Sequence, residues 1–548
     1  MLNRLKLYYH TLKPLRFEQI WYRLRYRLFP LKQLLNNSNE PVDIKKWSFD
    51  SFPFVTQSLW GNGRVQFLNE AATISVANDW NSPNFDKLWL YNLHYFDDLN
   101  SLDSDSRVVL QKQFIKQWLE QNPPMSGNGW EPYPISLRLV NWVKWCQRHQ
   151  EFDQRVLKSI RDQSEALLQQ LEFHILGNHL FANAKALAFV GCFLEGSRAD
   201  GYLTKGLELL DREVPEQFLS DGGHFELSPM YHCILLWDML DLYQLLLVTG
   251  NKQLEQRQDQ WRNVIVNGLA WLKSMCHPDG QISFFNDGAF GIAPPPYAIF
   301  EYASRLDIED TSRLVKGAHR LSASGYSRLS SGHVVVLFDH AEVGPSYLPG
   351  HAHSDTLSFE LSVGAQRLFV NSGTSVYGSG DERARQRSTQ AHNTVVVNEQ
   401  NSSEVWGGFR VARRANILDV VPESRGDTCS VTACHDGFSR FQKGLTHKRT
   451  CSLGQTEFQV VDELSQEVRS AEAYFHLHPD IAVEAKSSQV ALLTLPSGQQ
   501  LEFVTDSSLI IESSTWHPEF GKSIPSHRLV VPFSSRKLSC NLNFGSNL

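Results

Sequence analysis

The sequence has no cysteine framework. Its eight cysteines, at positions 146, 192, 233, 276, 429, 434, 451 and 540, include no CxxC pair and no regular spacing. That excludes a disulfide-stapled scaffold and predicts free thiols packed as small hydrophobes. Positive charge is also short: 52 Lys and Arg face 59 Asp and Glu, for a net charge of -7. No global field therefore gathers nucleic acid or a polyanion, and an acidic substrate has to be met by a local patch. No run is apolar for long enough to predict an integral membrane segment. The opening "MLNRLKLYYHTLKPLRFEQIWYRLRYRLFP" lacks an uninterrupted apolar core and a small-residue cleavage site, so it does not read as a secretory signal. The cytoplasm is the default compartment on this reading, with the periplasm or cell envelope open through another export route. The basic, aromatic opening is expected to dock as an amphipathic helix on the protein's own body rather than on a membrane.

At 548 residues the chain predicts two or more domains, and 42% hydrophobic content with 20% charged is globular. The 14 Trp and 16 Tyr supply the flat faces that carbohydrate clefts use, although most such rings fill cores. Periodicity changes near residue 320. Before it, apolar stripes at i, i+3, i+4 spacing over 108–122, 135–149, 156–175, 179–194, 231–248 and 261–275 predict successive helices arranged as a bundle, solenoid or toroid. After it, short alternating runs such as "HVVVLFD", "HNTVVV", "FQVVDEL" and "HRLVVPF" predict antiparallel sheets packed face to face.

Several polar clusters punctuate this pattern. "GHAHSD" sets His351 and His353 two positions apart, with Asp355 two further on. "LGNHLFANAKAL" brings Asn178 and His179 to the start of a helix pattern, where an Asn is ordinarily an N-cap. "DGGHFELSPMYH" carries His224, Glu226, Tyr231 and His232 on a glycine-bearing loop that feeds a helix. "VNSGTSVYGSGDERARQRSTQAHNTVVV" adds Asn371, Tyr377, His392 and Asn393, and its charged middle reads by itself as a solvated loop.

Taken with "SSEVWGGFRVARRA", "WLYNLHYFDDL" and "GWEPYPISLRLVNW", these motifs resemble the heparinase II/III-like polysaccharide lyases, which are related to alginate lyases, from about residue 85 to about 415. The resemblance implies an incomplete α/α toroid followed by an antiparallel β-sandwich. The expected organisation is an N-terminal helical or irregular segment over 1–84, a toroid over 85–320 and a sandwich over 321–548. It also implies a lyase that cleaves a uronic-acid-containing polysaccharide by β-elimination, removing the C5 proton and leaving a 4,5-unsaturated product. Such a site must neutralise the uronate carboxylate, hold the developing enolate-like charge and supply a base and an acid. By resemblance Asn178 neutralises the carboxylate with His179 in support, and Tyr231 and His351 are the proton-transfer groups. Which of the two is base and which acid stays open, although an ordinary Tyr is better suited as the acid.

The same resemblance puts Arg138, His224, Glu226, Trp130 and Tyr377 on the substrate side. It implies a structural divalent metal, zinc foremost, held by His353, Asn371 and His392. Metal-bearing relatives carry an acidic residue where Asn371 stands, and an amide is a weaker, neutral ligand. Asp355 is a compensating candidate, and both an occupied and a metal-free site stay open. The expected partner is an acidic polysaccharide, without nucleic acid; neither the particular polymer nor the oligomeric state is read from the sequence. Two other classes are compatible with parts of the pattern: a non-catalytic glycan-binding protein of capsule or exopolysaccharide handling, and a metal-dependent hydrolase.

Overall fold

The structure, a computed structural model, describes residues 2–29, 40–49, 52–310 and 312–545. Helices fill the first part: α1 (Leu2–Leu12), α2 (Phe17–Leu28), α3 (Lys87–Tyr95), α4 (Val108–Gln121), α5 (Pro132–His149), α6 (Gln154–Gln169), α7 (Gly177–Phe193), α8 (Ser197–Gln217), α9 (Pro229–Thr249), the single turn α10 (Lys252–Glu255), α11 (Gln258–Met275) and α12 (Pro296–Arg305). They wrap as an incomplete toroid around one apolar core that also takes in Val42, Phe49, Leu59, Val65 and Trp80. Helix α6 stops at Gln169, short of the expected 175, and the chain turns before α7. Helix α9 alone among the described residues is long and apolar enough to cross a membrane, which the sequence reading did not anticipate. It is a core helix of the toroid instead, buried along almost its whole length.

Helices α1 and α2 dock on the body, as expected, but with their polar faces inward. Gln19 donates to the carbonyls of Ile175 and Tyr347, Tyr26 donates to that of Leu171, and Trp406 donates its indole N–H to Thr11.

From Gly317 the chain is β. A five-stranded sheet runs in sequence order through Gly317–Leu321, Tyr326–Ser331, Val334–Asp339, Phe359–Val363 and Gln366–Phe369. A four-stranded sheet built on Ala471–His476 and Ile524–Phe533, and an eight-stranded sheet that includes Thr428–His435, His447–Leu453 and Glu457–Leu464, complete the sandwich; all pairings are antiparallel. The strands of the eight-stranded sheet alternate buried and half-exposed residues, because only one face packs on the shared core. Val334–Asp339 and Phe359–Val363 are buried at every position, because helices cover one face and sheet the other. Trp271, Met275 and Phe285 of the helical part pack there with Tyr326, Val335 and Leu337. All eight cysteines are free, and all but Cys434 are buried.

Candidate active site

The site forms where four loops meet at the junction of the two halves. Before α7 the backbone turns through left-handed conformations at Leu176 and Gly177. A side chain at Gly177 would collide with Leu348 Cδ2, at 2.3 Å, and press on Glu226 Oε1, so close approach requires glycine there. Asn178 lies inside the first helical turn rather than capping it. The cap is supplied by Glu226, whose Oε1 accepts from the Asn178 backbone N–H at 3.2 Å and from its Nδ2 at 2.9 Å. His179 holds Glu172 through Nδ1 at 2.8 Å and rests on the Tyr133 ring, 4.4 Å between centroids. Burial opposes its protonation, but the Glu172 carboxylate outweighs that and pushes the His179 imidazole above its ordinary value.

Tyr231, in the first turn of α9, stacks on His351 with ring centroids 3.8 Å apart, and its hydroxyl meets that of Tyr377 at 3.0 Å. Burial, reinforced by the neighbouring Tyr377 and Asp287, raises the Tyr231 phenol well above its ordinary value, so it holds its proton. His351 and His353 lie in the loop before Phe359–Val363, not on one strand, and both bind Asp287. His351 Nδ1 faces Oδ2 at 2.9 Å and His353 Nε2 faces Oδ1 at 2.8 Å. Arg383 closes the same carboxylate from the far side with both guanidinium nitrogens. Burial would neutralise Asp287, but Arg383 and the two imidazoles outweigh it and hold the carboxyl well below the usual range. An ionised carboxylate only accepts, so His351 carries its proton on Nδ1. Its Nε2 points away from Asp287, 3.5 Å from Glu226 Oε2, a buried oxygen without a hydrogen-bond partner among the described residues.

His353 faces a different neighbour. Its Nδ1 lies 3.1 Å from His392 Nε2, while His392 Nδ1 donates to the Ser388 carbonyl at 2.8 Å. Burial pushes His353 down to about 4 and lowers His392 as well, so both are neutral near pH 7. Two lone pairs therefore confront each other, and Asp355 brings a carboxylate into the same group, all within 4.8 Å. Two neutral imidazoles and a carboxylate fit a divalent cation such as zinc. Asn371 is otherwise engaged: its amide donates to the Phe284 carbonyl and its oxygen accepts from the Asn393 N–H.

Beside Tyr231 and Tyr377 opens a cleft of about 810 Å³, lined by Tyr133, Trp237, Phe290 and Phe520, by the buried ions Lys144, Lys185 and Asp241, and by the half-buried Asp238. Of the five expected substrate residues only Tyr377 lines it; Glu226 caps α7 instead, and three others do not contribute. Arg138 is wholly buried in the toroid, donating to Gln163 and to the carbonyls of His94 and Gly129 over the Trp118 ring. Trp130 stacks on Trp118 and donates to the Asn122 carbonyl. His224 is fully buried against Gln217. Their motifs are right but their side chains serve the core. Asp287 and Arg383 were missed: "FFNDGAF" reads as a turn, and nothing in "DERARQR" marks Arg383 and Arg387 as buried while Arg385 is not.

The helical toroid leads into the β-sandwich, and at their junction an Asp-anchored His stacks on a Tyr. Residues 103–293 match the heparinase II/III N-terminus and 313–544 the heparinase II/III-like C-terminal domain, and the chain belongs to the heparinase II/III-like family. It is 24% identical over 448 residues to a heparin-sulfate lyase of Bacteroides stercoris, covering 69% of this chain and 60% of the relative. To the heparin-sulfate lyase of Bacteroides thetaiotaomicron it is 21% identical, with 73% and 61% covered. The chain thus spans about three fifths of the length of these curated relatives. Among solved structures, the crystal structure of heparinase III superposes with a TM-score of 0.68 at 16% identity, covering 89% of this chain and 81% of that one.

Proposed function

We propose that the chain is a polysaccharide lyase that cleaves a uronic-acid-containing glycan by β-elimination. The observation that carries this reading is the His351 and Tyr231 pair. One ring offers a lone pair whose tautomer Asp287 fixes, and the other, in contact with it, keeps its proton because it is buried. His351 Nε2 takes the C5 proton of the uronate, the C4–O bond breaks as the C4=C5 double bond forms, and the Tyr231 hydroxyl gives its proton to the departing sugar oxygen. His179, its charge favoured by Glu172, and the Asn178 amide offset the substrate carboxylate, which otherwise suppresses the acidity of C5–H. No water enters the bond.

The charge of the cleft refines the substrate class. Lys144 and Lys185 are both bound by Asp241, Lys185 by Asp238 as well, and Asp97 and Glu519 add further acids. Among the described lining residues no arginine and no unpaired lysine is available to a sulfate, whereas aromatic faces are plentiful. A uronate polymer of low charge density fits this lining better than a highly sulfated one. A divalent metal held by His353, Asp355 and His392 would fix the loop that carries His351; its part would be structural.

Purified protein is assayed against a panel of sulfated and unsulfated uronate polymers, reading near-ultraviolet absorbance and reducing ends. Both signals are expected to rise together on an unsulfated polymer. Reducing ends without absorbance would mean a hydrolase, and binding with neither signal a glycan-binding protein.

A further inference from the structure

Helices α1 and α2 are amphipathic the wrong way round for a body-docked pair. On α1 the exposed apolar residues are Leu5, Tyr8, Tyr9 and Leu12; on α2 they are Phe17, Ile20, Trp21, Leu24 and Leu28. Each set follows i, i+3, i+4, i+7 spacing, which is a single continuous stripe. These stripes are exposed, from 39% at Tyr8, the one stripe residue whose ring also meets Trp406, to 79% at Phe17, while Gln19, Tyr22, Tyr26 and Thr11 make the other contacts with the body. Scattered exposed apolar residues need no explanation, but a stripe on each of two helices joined by four residues is exposed apolar surface of the kind that marks an interaction site.

Charge selects the partner. Residues 2–29 hold seven Lys and Arg and one acid, Glu18, in a chain whose net charge is -7. Arg4, Lys6, Lys13, Arg25 and Arg27 are exposed around the stripes. A protein groove would be expected to offer specific ion-pair partners. An apolar face with an aromatic residue at its centre and a rim of long cationic side chains instead matches the boundary between lipid headgroups and acyl chains.

We propose that the α1–α2 pair is an interfacial anchor that lays the chain on an anionic lipid bilayer. The helices insert their stripes parallel to the surface while the flanking cations meet lipid phosphates. The anchor backs directly onto the candidate active site. Gln19 grips Ile175, three residues before Asn178, and Tyr347, four before His351, and Tyr8 packs on Trp406 of the hairpin whose tip carries Phe409 beside the His351 ring. A docked molecule therefore holds its two catalytic loops within one layer of side chains of the membrane-bound helices.

The test is sedimentation of the full-length protein with phosphatidylcholine vesicles, with and without phosphatidylglycerol, at low and physiological salt. Binding is expected only with the anionic lipid, weakening with salt. Lys6→Glu and Arg27→Glu should each lower the partition coefficient by roughly fivefold or more, from the usual contribution of one basic residue at an anionic surface. Trp21→Glu with Leu24→Glu should reduce it at least tenfold, with an unchanged far-ultraviolet spectrum and melting curve. The exposed Lys6 variant keeps the test decisive if the double variant folds poorly. Absence of wild-type binding to anionic vesicles overturns the proposal, as does wild-type binding by the Leu24 and Trp21 variants. So does a concentration-dependent dimer that Trp21→Glu dissolves while vesicles leave the protein unbound, since the face would then be a contact between copies.

Discussion

Two buried clusters in this molecule are built from the same parts and end differently. In the eight-stranded sheet Asp462 takes both Arg449 nitrogens and His447 Nε2, and His447 Nδ1 lies 3.1 Å from His435 Nε2. At the domain junction Asp287 takes Arg383 and His353 Nε2, and His353 Nδ1 lies 3.1 Å from His392 Nε2. The outermost nitrogen makes the difference. His435 Nδ1 accepts the Gly437 N–H, so its Nε2 carries a proton and the chain of bonds closes. His392 Nδ1 donates to Ser388, so its Nε2 is bare and the chain stops at two opposed lone pairs. Asp287 also has a second arm, His351, that leads towards the cleft. A polar network whose bonds all close is a stability element, and one that stops on a lone pair is a binding or reaction site.

The largest expected effect tests the open arm. His351→Ala should lower turnover by about 10²–10⁴-fold, as loss of a general acid or base does. Its melting temperature should stay close to wild type, because Asp287 keeps Arg383 and His353. Elimination kinetics and a melting curve on the same preparation check this, and a variant with full activity would remove His351 from the mechanism. The closed network should behave in the opposite sense. Arg449→Met strands a buried carboxylate and should cost roughly 3–5 kcal/mol of stability, read by denaturant unfolding, while the folded fraction keeps its kcat.

Zinc separates the two His pairs next. Metal at about 100 times its dissociation constant should stabilise the wild type by about 2.7 kcal/mol, and His435→Ala should respond equally. His392→Ala should lose the response; an unaltered one would place the ion elsewhere. The smallest effect is a pH slope. His353 is depressed to about 4 by burial, so between that value and the ordinary imidazole range the unfolded chain binds a proton that the folded chain refuses. Stability contributed by neutral His353 is therefore present above about pH 6.5 and is lost as pH falls towards 4. His353→Gln should flatten the curve of unfolding free energy in that window by on the order of 1–3 kcal/mol, with zinc absent.

Much of this was legible in the sequence. Long stripes gave α4, α5, α7, α9 and α11 nearly to the residue, and β-rich runs such as "HVVVLFD" and "FQVVDEL" all became strands. Helix α8 was not read, because Gly201, Gly206 and the internal Pro215 interrupt the helical signal that its buried leucines carry. His447–Leu453 was hidden because two of its buried positions are the polar His447 and Arg449. Tyr231 and His351 were singled out together as proton-transfer groups, and their rings stack where the two halves meet. Asp287 was not, since its partners lie 64, 66 and 96 residues away and no local pattern encodes a contact of that range. Arg138 erred in the other direction: a charged side chain in a family-like motif suggests a ligand, while its fork of donors is what lets it sit in a core.

The strand Val334–Asp339, enclosed on both faces, bears on how this protein can be handled in the laboratory. Cutting the chain in the connection before Gly317 would leave "VVVLFD" with one face bare, an apolar, valine-rich stretch with a single acid at its end, of the kind that templates cross-strand aggregation. The helical fragment would lose the aromatic and aliphatic residues that cover Trp271 and Phe285. Neither half is expected to be stable when expressed alone, and thermal melting of the intact chain is expected to be one cooperative event rather than two.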